Sequence, residues 1–132
     1  MNPVVHFEMP YDDRDRIARF YEAAFGWKLQ VLGADMGNYV LATTAEGDVM
    51  PEGKANRGAI NGGFFPRSPD MPGQHPSVVV GVKNIQAAMK AVNKAGGEVL
   101  GTPMQIPGVG DYVAFYDTER NRLSMLQPLM PA

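Results

Sequence analysis

The sequence predicts an α+β domain built from two copies of one module, in which a strand is followed by a helix and three more strands. A short motif, GNYVL at residues 37–41, recurs as GDYVA at residues 110–114. Each half also carries one amphipathic helical pattern, and its candidate N-cap stands thirteen residues before a closing glycine (Asp13 to Gly26, Asn84 to Gly97). Chance similarity between two generic strand–turn segments is the alternative, but it does not explain why the helices also agree.

Composition excludes several classes of protein. The 132 residues include 12 basic and 14 acidic side chains, a formal charge of −2, which argues against a dedicated nucleic-acid-binding protein. There is no cysteine, so disulfides, thiolate metal sites and cysteine nucleophiles are excluded. The sequence shows neither a signal-peptide pattern nor an apolar run that could span a membrane. We therefore expect a cytoplasmic protein with no membrane or nucleic-acid partner.

In the first half, residues 4–9 alternate as a strand, which Pro10 is expected to end. Asp12 or Asp13 then offers a helix N-cap, where a carboxylate complements the helix dipole. An apolar stripe with helical spacing follows, at Ile17, Phe20, Tyr21 and Ala24. Gly26 suits the C-cap. Three further strands are predicted at residues 27–32, 36–43 and 59–65.

The second half repeats this order. Residues 77–82 form a strand, Asn84 caps a helix that Gly96 and Gly97 end, and strands are expected from residue 98, at 112–116 and at 123–126. Residues 102–111 are expected to form either a lid or an ordinary connecting loop. The predicted boundaries are a first module at 1–65, a linker at 66–76 and a second module at 77–132. Neither half has enough apolar surface alone, so we expect one domain.

Several side chains are candidates for a site. His6 and Glu8 lie two residues apart on one strand face, so a carboxylate would orient an imidazole that acts as a general base. The alternative is a structural pair on the outer face, or a buried pair satisfied by hydrogen bonds. Further candidates for contact with a small molecule are Trp27, Tyr39, Asn61, Phe64, Tyr112 and Met125. For the aromatic residues and the methionine, the alternative is core packing. For Asn61 and the glycines after it, the alternative is a β-bulge.

Three stretches together resemble a known superfamily. These are VHFEMP at residues 5–10, FYEAAFGW at 20–27, and the segment from GGEV at 96–99 to DTERN at 117–121. They resemble the vicinal oxygen chelate superfamily, which contains glyoxalase I, the bleomycin resistance proteins and the extradiol dioxygenases. The similarity is greatest to bacterial glyoxalase-related proteins of unassigned substrate. It implies two βαβββ modules forming a cupped mixed β-sheet around a cavity, and a homodimer.

The resemblance also implies a divalent metal held by ligands on the first and fourth strands of each module. His6 stands at the first of these positions. Ser77 stands opposite it in the second half, and His75 would reach the site only if the strand shifted its register. Asn61 and Ser124, at the fourth strands, are poor ligands. A nickel, zinc, manganese or iron site is therefore a candidate cofactor site with most of its usual ligands missing.

Two functions follow from this resemblance. One is a glyoxalase-like lyase or isomerase that acts on a small carbonyl compound or its conjugate, with His6 and Glu8 as base and orienting carboxylate. The other is a metal-free protein that binds or sequesters a small organic molecule, as the bleomycin resistance proteins do. Whether His6 lies among other ligating groups distinguishes them.

Overall fold

A computed structural model describes residues 1–45, 58–70 and 74–129. The first module contains β1 (Val4–Tyr11), α1 (Arg14–Phe25), β2 (Lys28–Val31), a single 3₁₀ turn (Ala34–Met36), β3 (Val40–Thr43) and β4 (Asn61–Pro66). The second contains β5 (Ser77–Gly81), α2 (Ile85–Lys94), β6 (Glu98–Ile106), β7 (Gly110–Tyr116) and β8 (Arg122–Pro128). The α+β class and the two βαβββ modules are confirmed.

The chain divides into two compact units. One is His6–Pro76, and the other is Ser77–Ala132 together with Met1–Val5. The predicted module boundaries stay a prediction. Residues 46–57 of the first module, 71–73 of the linker and 130–132 of the second module lie outside the described part of the chain. Within that part, neither helix has the length and apolar character needed to cross a membrane.

Both helix N-termini and the end of α1 form as their sequences predict, whereas α2 has its C-cap at Ala95, in a right-handed helical conformation, one residue before Gly96. The side chain of Asp13 accepts a hydrogen bond from the backbone N–H of Arg16 at 3.0 Å, and Asn84 accepts from Ala87 at 3.0 Å. Both bonds satisfy a donor that the first helical turn leaves unpaired. Gly26 ends α1 with φ 72°, a left-handed conformation that glycine adopts without steric cost. The caps fix where each helix leaves its first strand.

The two modules have the same strand pairing. In the first, β1 is parallel to β4, β4 is antiparallel to β3, and β3 is antiparallel to β2. In the second, β5, β8, β7 and β6 pair in the same way. Phe64 lies opposite Met9 and Val40, and Met125 lies opposite Val80 and Val113. Phe64 and Met125 are therefore equivalent, and so are Gly63 and Ser124, one residue earlier.

Each module buries one face of its strands against its own helix. In the first, the buried residues Tyr11, Val40, Ala42 and Phe64 are packed against partly buried side chains that include Ile17 and Tyr21 of α1. In the second, the buried cluster is Val82, Ile85, Val113 and Met125. Because side chains alternate along a strand, these contacts assign the remaining strand residues to the opposite face.

Two expected chain breaks are wrong. Pro10 does not end the first strand, because the ladder to β4 continues through Pro10 and Tyr11. The fixed φ of proline is compatible with an extended backbone, although proline has no backbone N–H to donate. Residues 102–106 are not a loop or a lid. They belong to β6, whose pairing with β7 resumes at Met104 after an irregularity that contains Pro103. Only a turn at residues 107–109 remains between β6 and β7.

Candidate functional site

The strand face of the first module that points away from α1 carries His6 and Glu8. Phe7 packs with the helix-side core, so the residues on either side of it point the other way. In the parallel ladder, His6 lies opposite Asn61, and Glu8 lies opposite Gly63. Their spacing of two therefore does place imidazole and carboxylate on one face. Both residues are partly buried.

A tyrosine joins these two side chains. The hydroxyl oxygen of Tyr39 lies 3.0 Å from His6 Nε2, and the same hydroxyl donates to Glu8 Oε2 at 3.1 Å. Tyr39 directly precedes β3, and its neighbour Val40 is fully buried in the core. Core packing of Val40 thus holds the tyrosine on the opposite face. The structure brings together three of the predicted site residues as one hydrogen-bonded chain.

The direction of this chain assigns the proton on the imidazole. A tyrosine hydroxyl has one proton, and Tyr39 gives it to Glu8, so His6 must donate from Nε2. Nδ1 is then the basic nitrogen of the neutral ring. Burial lowers the pKa of His6, and the negative charge of Glu8 partly opposes this effect. The lowered pKa favours the neutral ring, which is the form able to accept a proton.

Asn61 lies beside His6 but holds the backbone. Its side-chain oxygen accepts the backbone N–H groups of Thr44 at 2.8 Å and Ala45 at 2.9 Å. These bonds tie the chain leaving β3 to the start of β4. A role for Asn61 in contacting a ligand stays a prediction.

Two of the predicted aromatic residues lie in the helix-side core. Phe64 is fully buried. The ring of Trp27 stacks on Tyr21 with centroids 4.5 Å apart, and lies 5.5 Å from the ring of Phe7. Both side chains thus pack in the core, on the face opposite His6, which is the alternative to ligand contact given for the aromatic candidates.

The remaining candidates lie outside this hydrogen-bonded chain. Tyr112 shares a hydrogen bond of 2.6 Å with the hydroxyl of Ser124, and Met125 is 2% exposed in the core beside α2. His75 is exposed and lies before β5, in a bend of the chain. The described residues do not show His75 joining His6.

The described donors do not fit the divalent metal that the resemblance implies. Among residues 1–45, 58–70 and 74–129, no three His, Cys, Asp or Glu side chains come together. His6 Nε2 and a Glu8 oxygen are bonded to Tyr39, the Asn61 oxygen accepts two N–H groups, and Ser124 bonds Tyr112. A structural or catalytic metal site needs three or four converging donors.

One contributor was missed by sequence reasoning. A Cβ atom on Gly63 would overlap the ring and hydroxyl of Tyr39, so this glycine leaves the space in which the tyrosine lies. Gly62 does the same for Phe7 on the helix side. The pair of glycines in a strand was the sequence signal for this contact, since glycine inside a strand often marks a site where another group approaches the backbone closely. Here the approaching groups are side chains of the protein itself, Tyr39 and Phe7.

Comparison with known proteins agrees with this architecture. A sequence profile described as "Bleomycin resistance protein-like N-terminal" matches residues 4–45. A "Glyoxylase-like domain-containing protein" of Didymella fabae is 30% identical over 117 residues, which cover 86% of this chain and 84% of that protein. The chain belongs to the vicinal oxygen chelate superfamily. Within it, the chain is glyoxalase-like.

Several solved structures share the fold at low sequence identity. A hypothetical protein from Bacillus halodurans is 14% identical with a TM-score of 0.68, over 99% of this chain and 97% of that one. Methylmalonyl-CoA epimerase from Mycobacterium tuberculosis is 12% identical with a TM-score of 0.69, over 96% and 88%. A Streptomyces coelicolor methylmalonyl-CoA epimerase variant in complex with 2-nitronate-propionyl-CoA is 14% identical with a TM-score of 0.70, over 99% of each chain.

Proposed function

We propose that the His6 face of the first module binds a small carbonyl compound or its conjugate, and that His6 moves a proton at the carbon beside the carbonyl. The observation that carries this proposal is the hydrogen-bonded chain from His6 through Tyr39 to Glu8. A half-buried neutral imidazole, held by a carboxylate through a hydroxyl, is suited to general base catalysis. The glyoxalase-like relative and the epimerase fold support the same class of chemistry.

The proton transfer follows from the tautomer. Nδ1 of His6 takes a proton from the carbon, the C–H bond breaks, and its electron pair moves onto the carbonyl oxygen to give an enolate. The imidazolium formed donates from Nε2 to Tyr39, which donates to Glu8, so the new positive charge lies near a carboxylate. Return of the proton to the same carbon inverts or restores its configuration, and return to a neighbouring atom isomerises the compound.

The same face offers apolar surface for the rest of such a molecule. Leu41 lies opposite Gly63, and Phe65 lies opposite Pro10, so both share the face of His6 and Glu8. Both are partly exposed. An organic group packed against Leu41 and Phe65 would lie beside the imidazole, as binding sites with apolar walls and a few polar groups commonly arrange their ligands.

Solvent exchange of the carbon-bound proton tests this proposal across a panel of candidate compounds. The protein is incubated in D₂O with α-hydroxy aldehydes, α-keto acids, their thiol adducts and branched acyl-CoA thioesters, and loss of the C–H signal is followed by NMR. We expect exchange of at least one compound, reduced about 10²–10⁴-fold in His6→Asn. Undiminished exchange in His6→Asn, or a loss confined to His75→Asn, refutes His6 as the base.

A metal-free binding or sequestering function is the second candidate. The observation favouring it is that the second module has no ionisable group at the equivalent positions, where Ser77, Val79 and Ser124 stand. In this case a compound from the same panel raises the melting temperature through mass action. It shows no proton exchange, and the stabilisation is lost in Leu41→Asp.

Homodimerisation stays a prediction of the family resemblance, and a cytoplasmic location stays a prediction of the sequence pattern. Light scattering coupled to size-exclusion chromatography tests the first. A monomer at all concentrations would contradict it.

A further inference from the structure

We infer that Gly63 positions the hydroxyl of Tyr39 against His6, and that this hydroxyl fixes the imidazole with Nε2 protonated and Nδ1 basic. Gly63 and Tyr39 are positioning residues that act through His6. The consequence for catalysis rests on the proposed function; the tautomer itself does not.

The first step of the argument is steric. Gly63 lies opposite both Glu8 on β1 and Leu41 on β3, in the middle of the polar face. Any Cβ atom at this position would overlap the ring and hydroxyl of Tyr39. The ring therefore crosses β4 over the glycine and delivers its hydroxyl to β1. With a larger residue, the hydroxyl could not lie between His6 and Glu8 without movement of the ring.

The second module supplies an internal comparison. Tyr112 occupies the position of Tyr39 in the repeated motif, and Ser124 occupies the position of Gly63. There the tyrosine hydroxyl bonds the serine hydroxyl at 2.6 Å. Val79, which lies opposite Ser124, is the counterpart of Glu8 and has no polar side chain, and Ser77 is the counterpart of His6. In the second module, the side chain at this position of the fourth strand bonds the tyrosine hydroxyl. In the first module, the position is a glycine, and the tyrosine hydroxyl bonds side chains of the first strand instead.

The third step concerns protons. The Glu8 oxygen accepts the single proton of the Tyr39 hydroxyl, so this hydroxyl can only accept from His6. Since the bond to a carboxylate is stronger than one between neutral groups, it fixes the direction of the whole chain. The nitrogen that faces Tyr39 is Nε2, which leaves Nδ1 as the proton acceptor.

Imidazole ¹⁵N NMR tests this inference directly. In a His75→Asn background, His6 is the sole histidine, so long-range ¹H–¹⁵N spectra at pH 8 report its tautomer without ambiguity. A neutral histidine without tertiary contacts already prefers Nε2–H, so the ratio of the two forms is compared with that in a histidine-containing peptide. We expect the ratio of Nε2–H to Nδ1–H in the protein to exceed the peptide's ratio about tenfold. In Tyr39→Phe and in Gly63→Ser, the ratio should fall to that of the peptide, because the bond that discriminates the tautomers is lost.

Gly62→Ala is the matched control. Its added methyl group meets the ring of Phe7 on the helix side and leaves the Tyr39 face unchanged. We expect lower stability and an unaltered tautomer ratio. Should Gly63→Ser or Gly62→Ala fail to fold, Tyr39→Phe still decides, since it removes one oxygen and keeps the ring. A ratio in Tyr39→Phe that stays as far above the peptide's ratio as in the unsubstituted protein overturns the inference.

Proton exchange on the same variants separates this inference from the proposed function. A tautomer that depends on Tyr39, in a protein that exchanges no carbonyl compound, upholds the positioning role and refutes the proposed activity. If proton exchange is lost in His6→Asn but the tautomer ratio is unchanged in Tyr39→Phe, the activity is upheld and the positioning role is refuted.

Discussion

Replacement of Tyr39 by phenylalanine should destabilise the first module measurably. The change keeps the ring that lies over Gly63 and removes only the hydroxyl, which bonds His6 at 3.0 Å and Glu8 at 3.1 Å. A neutral hydrogen bond contributes about 0.5–1.5 kcal/mol to the free energy of unfolding, and a bond to a charged group about 1.5–3 kcal/mol. Because Tyr39 is only half-buried, water replaces part of what is lost. We expect a total cost of about 1.5–3 kcal/mol.

Urea unfolding followed by circular dichroism measures this cost. For a domain of 132 residues, it corresponds to a fall in melting temperature of about 5–10 °C. Tyr11→Phe is the matched control in the same module, since the Tyr11 hydroxyl makes one neutral bond, to the carbonyl oxygen of Asn38 at 2.7 Å. That variant should lose about 0.5–1.5 kcal/mol.

A double-mutant cycle identifies the charged bond as the cause. If Tyr39→Phe and Glu8→Gln act through one interaction, their effects are not additive, and the coupling free energy is about 1 kcal/mol. A Tyr39→Phe cost no greater than that of Tyr11→Phe, together with additive behaviour in the cycle, would refute the assignment of Tyr39 to this hydrogen-bonded chain.

Three further predictions concern charge, packing and metal. Burial lowers the pKa of His6 below its ordinary 6.5 despite the facing Glu8 carboxylate and Tyr39 hydroxyl, so the unfolded chain binds this proton more readily than the folded one. The free energy of unfolding therefore falls on acidification from pH 7.5 through 6.5 towards the folded pKa. Urea unfolding at pH 7.5 and 5.0 should show a smaller loss of unfolding free energy in His6→Asn than in the unsubstituted protein, and equal losses contradict the reasoning. Phe64→Ala should cost about 3–5 kcal/mol of unfolding free energy, since the side chain is fully buried against Tyr21 and Phe7, and a cost below about 1 kcal/mol would contradict that packing. If the folded protein bound nickel, zinc, manganese or iron, the metal at 100 times its dissociation constant would stabilise it by about 2.7 kcal/mol. We expect differential scanning fluorimetry to show no rise in melting temperature on addition of these metals, and a rise would contradict the reasoning.

The order of helices and strands was readable from the sequence because its signals are local. Asp13 and Asn84 cap their helices through hydrogen bonds that reach three residues along the chain, and Gly26 ends α1 through its own backbone angle. The apolar stripe of each helix likewise depends only on helical spacing. Such features are complete within a dozen residues, so no distant contact was needed to find them.

Strand boundaries were predicted less well where a partner strand decides them. β1 extends past Pro10 because β4 continues to pair beside it. β6 runs through residues 102–106 because β7 lies next to it, although Gly101 and Pro103 are typical of a loop. The local signals for a break were present in both cases, and pairing with a neighbouring strand outweighed them.

The sequence by itself determined that His6 and Glu8 share a face, since alternation along one strand requires it. It also determined the repeated module, through the motif that carries Tyr39 and Tyr112. Only the tertiary structure decided what lies between imidazole and carboxylate. Tyr39 is 33 residues from His6, and it reaches His6 because Gly63, on a third stretch of chain, leaves room for its ring. The direction of the proton chain depends on these contacts between strands, and no local pattern encodes contacts that exist only after the strands have paired.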